Sequence, residues 1–333
     1  MKTFVLVALS VGFANLAAAQ TLKLATITPE GSQWMQDMRA GAEMIDKRTD
    51  GRVKIKFYGG GVQGNDSKVL GKIRIGALQG GAFTPSAISS RFPDINLLGL
   101  PMVFDSYEEA AYVRSKLDEK LVKGLNDAGF VSFGFAAGGF AVIMSNTPVR
   151  TIDDLRGKRV WVPEGDPISY ASMEALSLSP VTLPLTDVLT GLQTGLIDIV
   201  GISPIGALVL QWHTKVKYIT ELPLSYTIGF MAIDKKAFAK LSDADQAVVR
   251  DVMTEMYANF DKQNLIDNAA ALESLLKQKI EVVNFEPGDE AKLRSTMLEL
   301  NRKLAAEGSF SPALYEEMMG YVRDYRAAHA NND

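Results

Sequence analysis

The chain contains no cysteine. Disulfide staples, thiolate metal sites and a cysteine nucleophile are therefore all excluded, and the fold must hold together by packing alone. Histidine is almost as scarce, with only His213 and His329 present. With His329 near a polar tail, a zinc site of two or three imidazoles is not expected, and a serine triad is left only His213 as its base. A lone histidine beside Gln211, Trp212 and Lys215 reads as a surface or packed residue. A formal net charge of −4, with no basic stripe, argues against nucleic acid as a partner. Beyond the first twenty residues no apolar run approaches a membrane span.

The first twenty residues carry the clearest positive signal. Lys2 precedes the apolar run Phe4-Val5-Leu6-Val7-Ala8-Leu9, and Ala17-Ala18-Ala19 stands before Gln20. A charged start, a short apolar core and a small-x-small site describe a secretory signal peptide, 1–19, cut after Ala19. A membrane anchor fits less well, because the apolar stretch is short and ends in small residues. With no cysteine to carry a lipid, the mature protein is expected free in the periplasm. Its length exceeds a single typical core, so two lobes are expected.

Short strand and helix units alternate along the mature chain. Thr21–Ile27 reads as a strand, Ser32–Arg48 as a helix capped by Ser32, Arg52–Tyr58 as a half-buried strand and Ser67–Leu78 as a helix. Ser106–Ala128 adds a helix and Val131–Phe135 a strand. This order predicts an α/β lobe with a mainly parallel sheet. A second lobe opens near Gly138, with strands over Phe140–Met144, Arg159–Val162 and Ile197–Ile202 and helices over Ser169–Leu176 and Leu185–Thr194. From Ser242 the texture turns helical through Asp243–Lys279, Asp289–Glu307 and Pro312–Ala328. No linker is evident, so crossing strands are expected to join the lobes.

Several motifs dissolve on inspection. Gly59-Gly60-Gly61-Val62-Gln63-Gly64 satisfies G-x-G-x-x-G, but the acidic residue a dinucleotide site needs about twenty positions on is missing. Glycines that turn the chain near a ligand cleft explain the run better, and no cofactor is expected. Asp153-Asp154 and Glu316-Glu317 are adjacent at predicted helix starts and exposed faces, where neighbours point apart. Asn65-Asp66-Ser67 reads as a helix start. No complete catalytic set and no metal site emerge, which counts against an exported hydrolase.

The second half carries a distinctive order of features. Asn146-Thr147-Pro148-Val149-Arg150-Thr151 leads through Asp153-Asp154-Leu155-Arg156-Gly157-Lys158 into Arg159-Val160-Trp161-Val162-Pro163. Leu178 through Pro184, Asp187-Val188 and Leu192 through Asp198 follow. The first half adds Gly60-Gly61-Val62-Gln63-Gly64, Gly76-Ala77-Leu78 and Leu100-Pro101-Met102-Val103-Phe104. The chain resembles the DctP-type solute-binding component of a TRAP (tripartite ATP-independent periplasmic) transporter. The resemblance implies a periplasmic binding protein fold: two α/β lobes, an interlobe cleft and a long bracing helix. It implies lobe I at 20–137 plus 228–267 and lobe II at 138–227 plus 268–333. It also implies ligand-driven closure and docking on TRAP membrane permease subunits.

The departures from that family carry most information about the ligand. Where most relatives place an arginine that grips a ligand carboxylate in two parallel bonds, this chain has Trp161. A second basic position matches Phe140. A buried carboxylate without a cation is costly, so a neutral or apolar ligand is expected over an organic acid. Tryptophan followed by Glu164-Gly165-Asp166-Pro167 resembles a subgroup that works with a periplasmic tetratricopeptide-repeat protein. The expected ligand contacts are Trp161, Phe140, Thr84, Gln63, Trp34, Leu185, Ser203 and Trp212, with Trp161 expected to serve binding more than folding. A chemosensory role would use the same closed lobes.

Overall fold

The computed structural model describes residues 19–330. The expected signal peptide therefore lies outside the described residues except for Ala19. The first lobe starts with β1 (Gln20–Ala25), α1 (Gln33–Arg48), β2 (Val53–Tyr58), α2 (Asp66–Arg74) and β3 (Gly80–Phe83). In β2, Val53 and Phe57 are buried while Lys54 and Lys56 are exposed, the alternation that a one-sided sheet requires. Strands separated by crossover helices pair in parallel, and β1 lies between β2 and β3 in that sense. Ser32 caps α1 by accepting from the Met35 amide, as expected. Asn65 rather than Ser67 caps α2, accepting from the Lys68 amide.

Next come α3 (Pro85–Ile88), α4 (Tyr107–Asp127) and β4 (Phe130–Val131). β4 is shorter than the expected Val131–Phe135, because Phe133 and Phe135 leave the sheet edge to fill two different core clusters. The crossing begins with β5 (Ala136–Ser145). The second lobe adds β6 (Trp161–Pro163), α5 (Pro167–Ala175), β7 (Val181–Leu183), α6 (Val188–Thr194), β8 (Ile199–Ile202) and α7 (Pro204–Val209). A 17-residue strand, β9 (Tyr218–Asp234), then returns to the first lobe. The chain closes with α8 (Lys235–Phe238), α9 (Asp243–Lys277), β10 (Glu281–Val283), α10 (Pro287–Ala306) and α11 (Pro312–His329).

β9 belongs to both lobes. Its last residues run antiparallel to β3 and β4, its middle pairs with β5, and its start pairs with β5 and β10. The pairing with β5 skips between Ala141 and Ile143, opposite Pro223. Proline has no amide proton to donate, so a bulge is the natural outcome there. A proline inside a run ordinarily argues against a strand, which hides a strand of this length from periodicity.

Helix α9 braces the crossing. At 35 residues it extends about 52 Å at 1.5 Å per residue, long enough to pack on α1 at one end and α7 at the other. Its buried stripe is apolar through Val249, Met253, Met256 and Phe260, then turns polar at Asn264 and Asn268. These asparagines serve the backbone of β5. Asn264 Nδ2 donates to the Ala137 carbonyl at 2.8 Å, and Asn268 Nδ2 donates to that of Gly138 at 3.2 Å. Asp261 accepts the Ala137 amide at 2.8 Å. Gly139, with φ of +92°, lets the strand pass so close that a Cβ would lie 2.6 Å from Asn268 Nδ2.

The C-terminal helix takes an unexpected seat. Tyr315, Met318 and Val322 of α11 share a core cluster with Leu117 and Leu121 of α4, so the chain's end rests on first-lobe elements. Replacing the central asparagine tests the brace. Asn264→Ala orphans the Ala137 carbonyl and the Trp34 indole, and should lower stability by about 1–3 kcal/mol in urea unfolding. An unchanged midpoint would show that the crossing does not need this contact.

Candidate functional site

A cavity of about 450 Å³ lies between the lobes, within the range of small-molecule sites. The first lobe contributes Thr26 and Thr28 after β1, Trp34 from α1, and Phe83 and Thr84 at the end of β3. The second contributes Trp161, Leu185, Ser203 and Trp212, and α9 contributes Tyr257, Phe260 and Asn264. These positions follow from the topology: the strand ends and helix starts of both lobes converge at the crossing.

Six of the eight expected contacts line this cavity: Trp161, Thr84, Trp34, Leu185, Ser203 and Trp212. Phe140 does not. The irregular pairing around Gly139 turns Ala141 and Ile143 toward the space. The Phe140 ring instead packs one layer back, 4.9 Å from Tyr107 and 5.5 Å from Tyr226 between centroids. Gln63 is also outside the wall, because its side-chain and backbone carbonyls both accept from Lys72 Nζ at 2.8 Å. Those bonds fold the glycine-rich turn onto α2.

Trp161 is held from two sides. Its Nε1 donates to the Leu183 carbonyl at 2.9 Å, and its ring meets Trp212 edge to face at 5.2 Å. It is only 6% exposed and belongs to the second lobe's core as well as to the cavity wall. Trp161 was expected to serve binding more than folding; its ring is both core and cavity wall, so its loss costs packing as well. Across the space, Trp34 donates its Nε1 to Asn264 Oδ1 at 2.8 Å, so both indole donors are satisfied by protein and present apolar faces.

The wall's charge is one-sided. Among the described residues lining it there is no Lys, Arg or His, whereas Asp66 and Asp166 are both present. Asp166 caps α5, accepting from the Ile168 and Ser169 amides at 3.0 Å and the Ser169 hydroxyl at 2.6 Å. Burial raises its carboxyl's pKa, against those bonds. Asp66 lies in the first turn of α2, where it reads from sequence as an ordinary favourable charge. Folding brings it near Glu164 of the opposite lobe. Burial first, and that carboxylate second, push Asp66 up to about 6.

The lobes also touch at this mouth. Asn65 Nδ2 donates to Glu164 Oε2 at 3.1 Å, and the Ser89 hydroxyl to the Gly165 carbonyl at 3.3 Å. Gly165 has φ of +80°, and a Cβ there would lie 3.0 Å from the Ser86 carbonyl oxygen. The Glu-Gly-Asp-Pro run therefore has a geometric meaning. Glu164 bridges the lobes, Gly165 permits the approach, Asp166 caps α5 and Pro167 opens it.

The model of bacterial extracellular solute-binding protein family 7, DctP, matches residues 24–307. The chain belongs to this family. A 2,3-diketo-L-gulonate-binding periplasmic protein of Escherichia coli is 25% identical over 239 residues, 70% of this chain and 71% of that one. A TRAP periplasmic solute-binding protein from Ochrobactrum anthropi is 25% identical with a TM-score of 0.78, covering 95% of this chain and 98% of its own. The sugar acid binding protein of Advenella mimigardefordensis, solved with galactonate, gives a TM-score of 0.85 at 20% identity, covering 92% and 99%. At that identity the likeness speaks to fold alone. The family is one of solute-binding proteins and not of enzymes, and this DctP-type receptor shares its two-lobed α/β architecture. Among the described residues no helix is long and apolar enough to cross a membrane.

Two predictions follow from the mouth of this DctP receptor. Ionised Asp66 opposes closure against Glu164. Its carboxyl is raised from 3.8 to about 6, so the penalty is present at neutral pH and is relieved as pH falls through about 6. Ligand affinity should rise roughly three- to tenfold between pH 7.5 and 5, and Asp66→Asn should flatten that slope. Affinity that falls with acidification would contradict the assignment. Separately, Gly165→Ala should weaken binding by roughly fivefold to tenfold through the close approach to Ser86 across the mouth, and should lower the melting temperature modestly through the left-handed φ. A loss of melting temperature with affinity unchanged would show that only the φ matters.

Proposed function

We propose that this receptor carries a neutral or largely apolar solute to a TRAP membrane permease. The observation behind the reading is the absence of any cation among the described residues of the cavity wall, beside two carboxylates. The nearby Arg114 does not supply one. It is buried and committed to Asp118 and Asp261, and reaches the cavity only behind Tyr226, whose hydroxyl it touches at 3.3 Å. A galactonate-like anion would meet indole and carboxylate where it needs a guanidinium, which disfavours the organic-acid alternative. Aromatic and aliphatic walls suit an apolar surface. Burying about 200 Å² of ligand at about 25 cal/mol per Å² yields roughly 5 kcal/mol before association costs.

The same reading takes the protein to be exported by residues 1–19 and to act in the periplasm. It takes the lobes as 20–137 plus 228–267 and 138–227 plus 268–333, with α11 resting across that division on α4. Closure pivots where β5 and β9 cross. Trp161 followed by Glu164-Gly165-Asp166-Pro167 supports a periplasmic tetratricopeptide-repeat protein as a further partner.

A thermal-shift screen of the mature chain tests the ligand class. Neutral lipophilic compounds should stabilise it, and galactonate and small dicarboxylates should not. Selective stabilisation by such acids would overturn the reading. Trp161→Arg restores the family's usual cation, but without a second polar partner it should gain at most weak acid binding. The loss of the Trp212 contact and the Leu183 bond should also lower stability by about 2–4 kcal/mol.

A further inference from the structure

The cavity does not end at the lobe interface. It runs on beneath the second lobe's sheet, where its wall is made by Leu155, Val160, Leu176, Leu293 and Met297 of that lobe, with Met102 reaching in from the first. These side chains are buried members of one hydrophobic core cluster. The chamber they form lies under β5 and β8 and is roofed by α5 and α10, and no first-lobe strand reaches it. A core cluster that also lines a cavity is unusual, since interiors normally pack with few voids larger than a water molecule.

The chamber offers hydrocarbon and little else. Ser172 also lines it, but its hydroxyl is spent on the Ile168 carbonyl at 2.8 Å. Met102, Met173 and Met297 supply flexible, polarisable walls that adapt to an uneven occupant. The opposite end of the same cavity holds the hydroxyls of Thr26, Thr28 and Thr84, the Asp66 carboxylate and the Asn264 amide. One continuous space therefore has a polar end between the lobes and an apolar end inside lobe II.

We propose that the ligand is a long-chain amphiphile whose hydrocarbon tail occupies the chamber between α5 and α10, with an uncharged head held between the lobes. The inference rests on the neutral-ligand reading and deepens it. A tail buried in one lobe makes that lobe the first to bind, and closure then encloses the head. The chamber also selects against compact sugars, which cannot fill an apolar extension with anything but water.

Straight-chain 1-alkanols from butanol to tetradecanol are the probes, with cyclohexanol as the compact neutral control. Affinity should increase about fourfold per methylene until the chamber is full and then level off. Met297→Phe, which narrows the chamber, should bring that plateau several carbons earlier and leave cyclohexanol unaffected. Met173→Trp, at a less buried position, repeats the test should the first variant fold poorly. In the wild-type chain, a dodecanol bearing a diazirine on its terminal carbon should label peptides of α5 and α10. Alkanols that bind with no chain-length dependence, and a label confined to residues between the lobes such as Trp34 and Thr84, would overturn the tail site while leaving the neutral-ligand reading intact. Stabilisation by galactonate with no response to any alcohol would overturn both.

Discussion

The architecture depends on two strands that are shared between lobes and on one helix that holds them. β5 and β9 carry the chain across, so the strands paired with them, β3, β4, β8 and β10, inherit their position from that register. That register is irregular at Gly139 and at Pro223, where pairing is least able to fix it. Asp261, Asn264 and Asn268 of α9 supply what the ladder lacks, by bonding the Ala137 amide and the carbonyls of Ala137 and Gly138. Buried polar side chains bonded to backbone are costly to lose, and these set which face of β5 meets the cavity. Ala141 faces it and Phe140 does not for that reason.

The same helix ties the crossing to the ligand space. Asn264 holds β5 with its nitrogen and Trp34 with its oxygen. One residue therefore couples the pivot to a ring that lines the cavity. A displacement that disturbs either bond disturbs the other, which gives a short physical path between the cavity wall and the crossing. Arg114 strengthens the back of this assembly by joining α4 to Asp261. A buried guanidinium so placed serves the frame and is not free for an anionic ligand.

Most of the fold was readable from periodicity and capping. Strands β1 and β2, helices α1, α4, α9, α10 and α11, and the crossing near Gly138 all lie within a few residues of their expected spans, whereas β3, a short run with two glycines, had no expected span. Of the expected contacts, Trp161, Trp34, Thr84, Leu185, Ser203 and Trp212 line the cavity. Phe140 lies off its wall because one irregular pairing moves a side chain to the other face of a strand. Gln63 lies off it because Lys72 holds its side-chain carbonyl. Asp66, Tyr257 and Asn264 went unnoticed, since each looks ordinary in its own helix. An acid in a first turn, an aromatic in an apolar stripe and an asparagine in a long helix become site residues only through contacts far away in sequence. The apolar chamber was equally hidden, because Met102, Leu176 and Met297 read as plain core, and core they also are.

That double duty extends to Trp161 and explains why the substitution of a cation by an indole is self-consistent here. An arginine at this position would need desolvated acceptors around its guanidinium. The cluster holding Trp161 offers Trp212, Val188 and Leu192 instead, with a single carbonyl, Leu183, aimed at the indole nitrogen. The surroundings are thus built for one donor and a large apolar area, which is what tryptophan supplies. Replacing the indole with a cation therefore requires changing the lobe's core, because the same packed rings form that core and the cavity wall, so neither can drift far without the other.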